Sequence, residues 1–116
     1  MGEEFKEYGL FADKSPKPQQ IEPSETLLPL KINSKSRIAY VGNTLLDRAQ
    51  HFGHFEAFLH QRFPNKELTV RNFAWSADEI DLMPRPDNFA SIDQHLLHHR
   101  TDIIFAAFGF NESIGL

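Results

Sequence analysis

The segment spanning residues 102–109, DIIFAAFG, is the feature that most constrains the fold of this chain. It is almost continuously apolar and ends at a glycine, a pattern typical of a strand that is buried on both faces of a sheet. Residues 37–42 and 68–73 form two more short runs rich in strand-forming residues. Because strands buried on both faces occur mainly in parallel sheets covered by helices, the three runs predict a parallel sheet.

Helical patterns separate these three strands. After the first strand, apolar residues recur at a spacing of three to four, which predicts one apolar helix face formed by Phe52, Phe55, Phe58, Leu59 and Phe63. Before the third strand, Ser91 and Gln94 form a capping-box pattern, which predicts a helix from Ser91 to Arg100. The alternation of strand, helix, strand, helix and strand predicts the α/β class.

The composition changes near residue 36. Residues 1–36 contain four of the seven prolines and no sustained helical or strand period, which is typical of an extended linker or of a strap over a domain surface. Residues 37–116 carry all three predicted strands. Since a strand buried on both faces needs more neighbours than three strands supply, we expect residues 37–116 to be the N-terminal part of a larger domain.

Composition narrows the classes of function. The net charge of −4, without a basic stripe, argues against binding of nucleic acid. The chain has no cysteine and therefore no disulfide, thiolate metal site or cysteine nucleophile. It shows neither an apolar run of membrane-spanning length nor a secretory signal, so we expect no membrane partner. The sequence does not indicate the cellular compartment, and a longer parent protein could be exported.

Three histidines deserve a separate interpretation. His95, His98 and His99 lie at i, i+3 and i+4, a spacing that brings imidazoles towards one helix face and could bind zinc. No carboxylate or cysteine nearby completes a ligand set, and histidines in the last turn of a helix are also favoured by the helix dipole. We therefore predict no metal site and no cofactor.

Polar residues follow each predicted strand. Gly42-Asn43-Thr44 follows the first, residues 72–78 (NFAWSAD) the second, and residues 109–113 (GFNES) the third. Ligands of open α/β sheets bind beyond the carboxyl ends of the strands, so these segments are the expected site. A hydroxyl at the start of a helix, a backbone amide and an amide side chain that converge there are the arrangement that acyl transfer requires around an oxyanion.

These three segments together resemble the sequence blocks of the SGNH hydrolases, the GDSL-like esterases and lipases. Thr44 stands where that family has its serine nucleophile, and Asn43 replaces the aspartate before it. Ala77 stands where the family has the glycine whose backbone amide lies in the oxyanion hole. Asn111 matches the asparagine whose side chain completes that hole. Asn72, Ser76 and Asp78 match the surroundings of the glycine position. Glu112 replaces the aspartate that follows the asparagine in the family.

The resemblance implies a three-layer flavodoxin-like parallel sheet of which this chain has the first three strands. It implies hydrolysis of an acyl or acetyl ester, for example on a small molecule or a carbohydrate. The contexts VGNTLLDRAQHFGHFEAFLHQRFP, RNFAWSADEI and AFGFNES are similar to a subgroup embedded in large multidomain proteins of planctomycete-type bacteria. The family's Asp-x-x-His block, which supplies the catalytic base, has no counterpart here, so we expect this chain alone to be inactive.

Alternative interpretations remain for the whole chain and for single residues. The chain could be a catalytically degenerate SGNH-like binding or structural module, or a flavodoxin-like fragment that self-associates through an unpaired sheet edge. Thr44 could be a helix N-cap and Asn111 a turn residue. Trp75 could be a core plug or a pocket wall. The default interpretation of the loop carboxylates is a solvated cluster formed by Asp78, Glu79 and Asp81.

Overall fold

The computed structural model describes residue 22 and residues 25–114 of the chain. The regular elements are β1 (Arg37–Gly42), α1 (Thr44–Ala49), α2 (His54–Arg62), β2 (Thr69–Asn72), α3 (Ile92–His99), β3 (Ile103–Ala107) and α4 (Phe110–Ile114). The strands form one parallel sheet in the order β2-β1-β3. The predicted α/β class and the parallel sheet are confirmed.

The central strand β1 is the most deeply buried element. Ile38 and Ala39 are fully buried, and Tyr40 is 2% exposed. Side chains alternate along a strand, so Ile38 and Tyr40 share one face of the sheet. On that face they pack with Leu59 of α2 and with Leu68, which precedes β2. The main apolar core therefore lies between the sheet and α2.

Helix α3 covers the other face of the sheet. Phe73 follows β2 on the same face as Ala39, because Ala39 pairs with Arg71 and side chains alternate. Its ring centroid lies 5.8 Å from that of His95 and 5.7 Å from that of His99, both in α3. Helices thus flank the described sheet on both sides.

The capping box at the start of α3 is present as predicted. The Ser91 hydroxyl accepts a hydrogen bond from the Gln94 backbone N–H at 3.3 Å, and the Ser91 N–H donates to the Gln94 side chain at 2.8 Å. This reciprocal pair satisfies two backbone donors that the first helical turn leaves free. The pair fixes where α3 begins and therefore how the preceding loop approaches the sheet.

The single apolar helix face predicted after the first strand is correct only in part. The segment forms two helices, because Gly53 adopts a left-handed conformation with φ 63° and separates α1 from α2. Within α2 only Leu59 is buried, whereas Phe55 and Phe58 are exposed, as is Phe52 before the helix. The Phe55 ring nevertheless packs against the rings of Tyr40 and Phe105, with centroids 5.7 and 5.6 Å away, and Phe63 packs against the core. The prediction therefore fails for Phe52 and Phe58.

Burial of the third strand on both faces is also not observed. β3 pairs with β1 alone and forms an edge of the described sheet. Its burial alternates between half-buried and exposed, and Ile104 is 51% exposed. The apolar run correctly indicated a strand. The burial of that strand depends on which elements lie beside it, and its own residues do not encode those neighbours.

The predicted linker or strap is described only from residue 25 onwards, with residue 22. Residues 1–21, 23 and 24 lie outside the described residues, as do residues 115 and 116. Residues 25–36 contain neither helix nor strand, and Ile32 among them packs against the core while Leu28 is 83% exposed. None of the helices in the described part of the chain has the length and apolar character needed to span a bilayer.

Candidate functional site

The carboxyl ends of the strands meet around Gly42. A Cβ atom at Gly42 would lie 2.3 Å from the backbone oxygen of Ala107, so only glycine permits this approach of β1 to β3. The next backbone N–H, that of Asn43, donates to the same Ala107 oxygen at 3.3 Å. The Gly42 oxygen accepts from the Trp75 N–H, also at 3.3 Å. These hydrogen bonds join the first polar segment to the second and to the end of the third strand, at the carboxyl edge of the sheet.

Thr44 is the first residue of α1, and Asn43 occupies the N-cap position. The alternative prediction, that Thr44 is the N-cap of this helix, is therefore wrong. Asn43 makes no side-chain capping hydrogen bond, although it is only 2% exposed, and its Nδ2 atom has no hydrogen-bond partner within the described residues. The Thr44 side chain is half-buried and is not used as a cap. Its hydroxyl lies at the start of a helix directly beyond the central strand.

Asn72 connects the second polar segment to α1. Its side-chain Nδ2 donates to the backbone oxygen of Leu46 at 2.7 Å, and its Oδ1 accepts from the Ala74 N–H at 2.9 Å. One amide side chain thus holds a helical turn and shapes the start of the loop. Asn72 supports the site through these contacts, with both ends of its amide occupied.

Ala77 lies at the left-handed position of the second loop, with φ 71°. An alanine at such a φ is disfavoured by contact of its Cβ with the backbone, whereas glycine is not. The SGNH resemblance places a glycine here, so the backbone has the conformation that the family residue suits. The adjacent Ser76 is fixed by Asp47 of α1, whose Oδ2 accepts from the Ser76 N–H at 3.0 Å and from its hydroxyl at 2.5 Å.

Asp47 was not among the predicted site residues. It lies three positions after Thr44, and residues at i and i+3 share a helix face. A carboxylate on the helix face that carries the nucleophile candidate is the signal that could have identified it. The SGNH resemblance assigns no role to this position.

Asp78 departs from its default interpretation as a solvated carboxylate. It is 3% exposed, and its two oxygens accept hydrogen bonds from the Arg85 guanidinium at 2.8 and 2.6 Å. The hydrogen bonds to Asp78 raise the pKa of Arg85 above its usual value. A buried, bidentate ion pair of this kind holds the loop on the far side of Ala77. Glu79 is half-buried and Asp81 exposed.

Glu112 joins the third polar segment to the second. Its Oε2 accepts from the Gly109 N–H at 2.7 Å, and its Oε1 accepts from the Ile80 N–H at 2.9 Å. Hydrogen bonds from its own backbone N–H first, and from those of Gly109 and Ile80, lower the pKa of the Glu112 carboxyl. Asn111, the candidate oxyanion side chain, is the half-buried neighbour of Glu112 in α4. It lies in a helix rather than in a simple turn.

Trp75 contributes to a pocket of about 110 Å³ beside this cluster. Asn72 lies in the pocket wall as well, so the pocket borders the second polar segment. The Trp75 side chain is 40% exposed and contacts Phe89 with its ring. Of the two interpretations for Trp75, the structure supports the pocket wall.

The histidines of α3 have separate environments. His95 packs against Phe73, His98 is exposed, and His99 is buried with its Nε2 3.2 Å from the Ile38 oxygen. Within residue 22 and residues 25–114, no group of three or more potential metal ligands converges.

Thr44 at the start of α1, the left-handed Ala77 and Asn111 of α4 thus each follow the carboxyl end of a strand in one parallel sheet. Scans against protein-family models, curated proteins and solved structures found no match to this chain. Interpretation of the site therefore rests on its own residues and contacts.

Proposed function

We propose that this chain carries the nucleophile and oxyanion-hole half of an SGNH-type ester hydrolase domain with a flavodoxin-like fold. In this proposal the Thr44 hydroxyl oxygen attacks the ester carbonyl carbon, and a base removes the hydroxyl proton. The carbonyl oxygen becomes an oxyanion, which accepts hydrogen bonds from the backbone N–H groups of Thr44 and Ala77 and from the Asn111 side chain. Collapse of this intermediate expels the alcohol, which takes up the proton, and leaves an acyl-threonine that water hydrolyses.

The observation that carries the proposal is the left-handed backbone at Ala77. Ala77 is one of five non-glycine residues with positive φ among the described residues, and it is the one that occupies the loop position where the family pattern has glycine. Strain of this kind persists only where the surrounding contacts enforce it. Here the Asp47–Ser76 and Asp78–Arg85 contacts bracket the strained residue.

The chain contains no Asp-x-x-His sequence to supply the base. Removal of a triad member in such enzymes leaves a residual acceleration of about 10³- to 10⁴-fold, which comes from the oxyanion hole and binding. The chain alone should therefore hydrolyse esters very slowly compared with an enzyme that has its complete triad. A small added base should raise this rate of hydrolysis. Imidazole is the natural choice, because it has the chemistry of the missing side chain.

The test measures hydrolysis of an activated acetyl ester in the presence of imidazole, after subtraction of the rate without protein. We expect a protein-dependent rate that saturates with ester, increases in Thr44→Ser and disappears in Thr44→Val. Asn111→Ala should lower it by about 10²-fold, the usual effect of removing an oxyanion donor. Thr69→Val is the matched control, since Thr69 lies at the amino end of β2, away from the site.

A degenerate binding or structural module is the second candidate, and the replacement of three motif residues at Asn43, Thr44 and Ala77 favours it. If the chain is such a module, the protein should be folded but should not hydrolyse the ester. The background-corrected rate of hydrolysis should then be zero in the original protein, in Thr44→Ser and in Thr44→Val. A saturable rate that responds equally to Thr44→Val and Thr69→Val would contradict both the assigned nucleophile and the module.

A further inference from the structure

The pocket beside Trp75 has a wall made largely of aromatic rings. It lies between the connection that follows β2 and helix α3, and its wall includes Phe73, Trp75, Phe89 and His95 together with Arg85 and Ile92. Phe89 contacts the Trp75 ring edge-on, with centroids 5.4 Å apart, and lies 5.3 Å from the His95 ring. We propose that this pocket binds a small uncharged aromatic ring, with phenol as its simplest representative.

Size and shape fit a single six-membered ring. An engineered apolar cavity of about 150 Å³ is known to hold benzene, and this pocket of about 110 Å³ is of the same order. Aromatic rings prefer edge-to-face or offset contacts with one another. The tilted arrangement of Trp75, Phe89 and His95 offers both kinds of contact to an incoming ring.

The charges of the pocket argue against an anionic ligand. Arg85 is the cationic residue of the wall, but two of its nitrogens donate hydrogen bonds to the Asp78 carboxylate, at 2.8 and 2.6 Å. Its guanidinium carbon also lies 4.0 Å from the centre of the Trp75 ring, in a cation–π contact. A carboxylate or phosphate ligand would therefore have to compete with Asp78 for this cation.

The hydrogen-bonding capacity of the wall argues against a sugar. The Asn72 amide is occupied at both ends by backbone groups. Among the described residues, the buried wall atom without a hydrogen-bond partner is Nε2 of His95. A sugar ring would bring several hydroxyl groups and leave most of them unpaired, at a cost for each. A phenolic ring brings one hydroxyl, so at most one polar group has to find a partner, and His95 Nε2 is the wall atom that lacks one.

This inference does not depend on the proposed ester hydrolysis, and its test measures binding alone. Trp75 is the only tryptophan in the chain, so intrinsic fluorescence reports directly on the pocket. We expect phenol to change the Trp75 emission in a saturable way, with a dissociation constant of about 1 mM, as befits so small a ligand. Methyl glucoside and benzoate should produce no saturable change.

Two phenylalanine variants separate the pocket from non-specific contact with exposed rings. Phe89→Ala should weaken phenol binding at least about tenfold by removing the wall ring that packs against both Trp75 and His95. Phe58→Ala, an exposed phenylalanine of α2 outside the pocket wall, should leave it unchanged. Circular dichroism of each variant checks the fold, and Phe89→Leu replaces Phe89→Ala where the spectrum differs from that of the original protein.

Four results would overturn the proposal. A phenol response that stays linear with concentration indicates collisional quenching without a site. Tighter binding of benzoate than of phenol indicates an anion site at Arg85, and binding of methyl glucoside as tight as that of phenol indicates a sugar site. Equal effects of Phe89→Ala and Phe58→Ala would place any binding elsewhere on the surface.

Discussion

Asp47 and Ser76 are joined by two hydrogen bonds to a single oxygen, since Oδ2 of Asp47 accepts both the backbone N–H and the hydroxyl of Ser76. The other oxygen, Oδ1, accepts from the Gln50 side chain at 2.7 Å. The carboxylate is thereby held on α1 while it holds the loop residue next to Ala77. A helix that begins at the candidate nucleophile therefore also sets the position of the candidate oxyanion amide.

We expect Asp47→Ala to release this loop without unfolding the protein. A hydrogen bond to a charged acceptor is stronger than one between neutral groups, so the Ser76 amide proton should exchange with solvent about tenfold faster in the variant. Hydrogen exchange followed by NMR measures this rate. Asp81→Ala removes an exposed carboxylate from the following part of the loop and should leave the Ser76 rate unchanged. An unchanged Ser76 rate in Asp47→Ala would show that other contacts hold the loop.

Ala77→Gly should stabilise the protein by about 1 kcal/mol. Relief of the left-handed strain stabilises the folded state by about 1–2 kcal/mol. The greater conformational freedom of glycine stabilises the unfolded chain and offsets part of this gain. The midpoint of urea unfolding measures the effect. Ala57→Gly is the opposite control, because Ala57 lies in the interior of α2, where glycine should cost about 1 kcal/mol. A loss of stability in Ala77→Gly would contradict the strained backbone.

Local sequence patterns predicted the elements of this fold better than their burial. The run at residues 37–42 coincides with β1, and the capping pattern at Ser91 is the observed N-terminus of α3. Phe52 and Phe58, whose rings are exposed, were predicted as part of one apolar helix face, because spacing shows that residues share a face but not what covers that face. The same limit applies to β3 at the sheet edge.

The candidate site shows a similar division. Parallel strands bring their carboxyl ends to one edge, which predicted that the polar segments after the strands would lie close together. The Trp75 N–H donates to the Gly42 oxygen there, so the first two segments do meet. The contacts that fix the loop could not be predicted in the same way. Asp47 and Ser76 are 29 positions apart, and Arg85 reaches Asp78 across a turn-rich segment with no periodic signal.

His99 should make stability depend on pH. It is 5% exposed, with Nε2 3.2 Å from the Ile38 oxygen and Nδ1 3.3 Å from an Arg37 nitrogen, contacts that suit a neutral ring. Burial first, and the charges of Arg37 and Arg71, lower the pKa of His99 below 6.5, although the Ile38 oxygen and Asp102 act in the opposite direction. The unfolded chain therefore binds the proton more readily than the folded one.

Because the folded pKa is depressed, the contribution of His99 is complete above pH 6.5 and is lost as the pH falls towards the folded pKa. Urea unfolding between mildly acidic and neutral pH should show stability that rises with pH and then levels off. His99→Gln should flatten this slope, whereas His98→Gln, at the exposed neighbour, should preserve it. A slope that persists in His99→Gln would assign the pH dependence to other groups.

Gly42→Ala should disrupt the site and the sheet together. The added Cβ would lie 2.3 Å from the Ala107 oxygen. The backbone fixes the position of a Cβ, and the oxygen is itself a backbone atom, so no side-chain rotation relieves the clash. Separation of β1 from β3 at this point breaks the Asn43 hydrogen bond to the same oxygen and should destabilise the fold by at least about 3 kcal/mol. Gly53→Ala is the matched control, because its Cβ meets nothing within 4 Å and the cost is that of the left-handed backbone alone, about 1 kcal/mol. Equal unfolding midpoints for the two variants would show that β1 and β3 do not approach as closely as the sheet register requires.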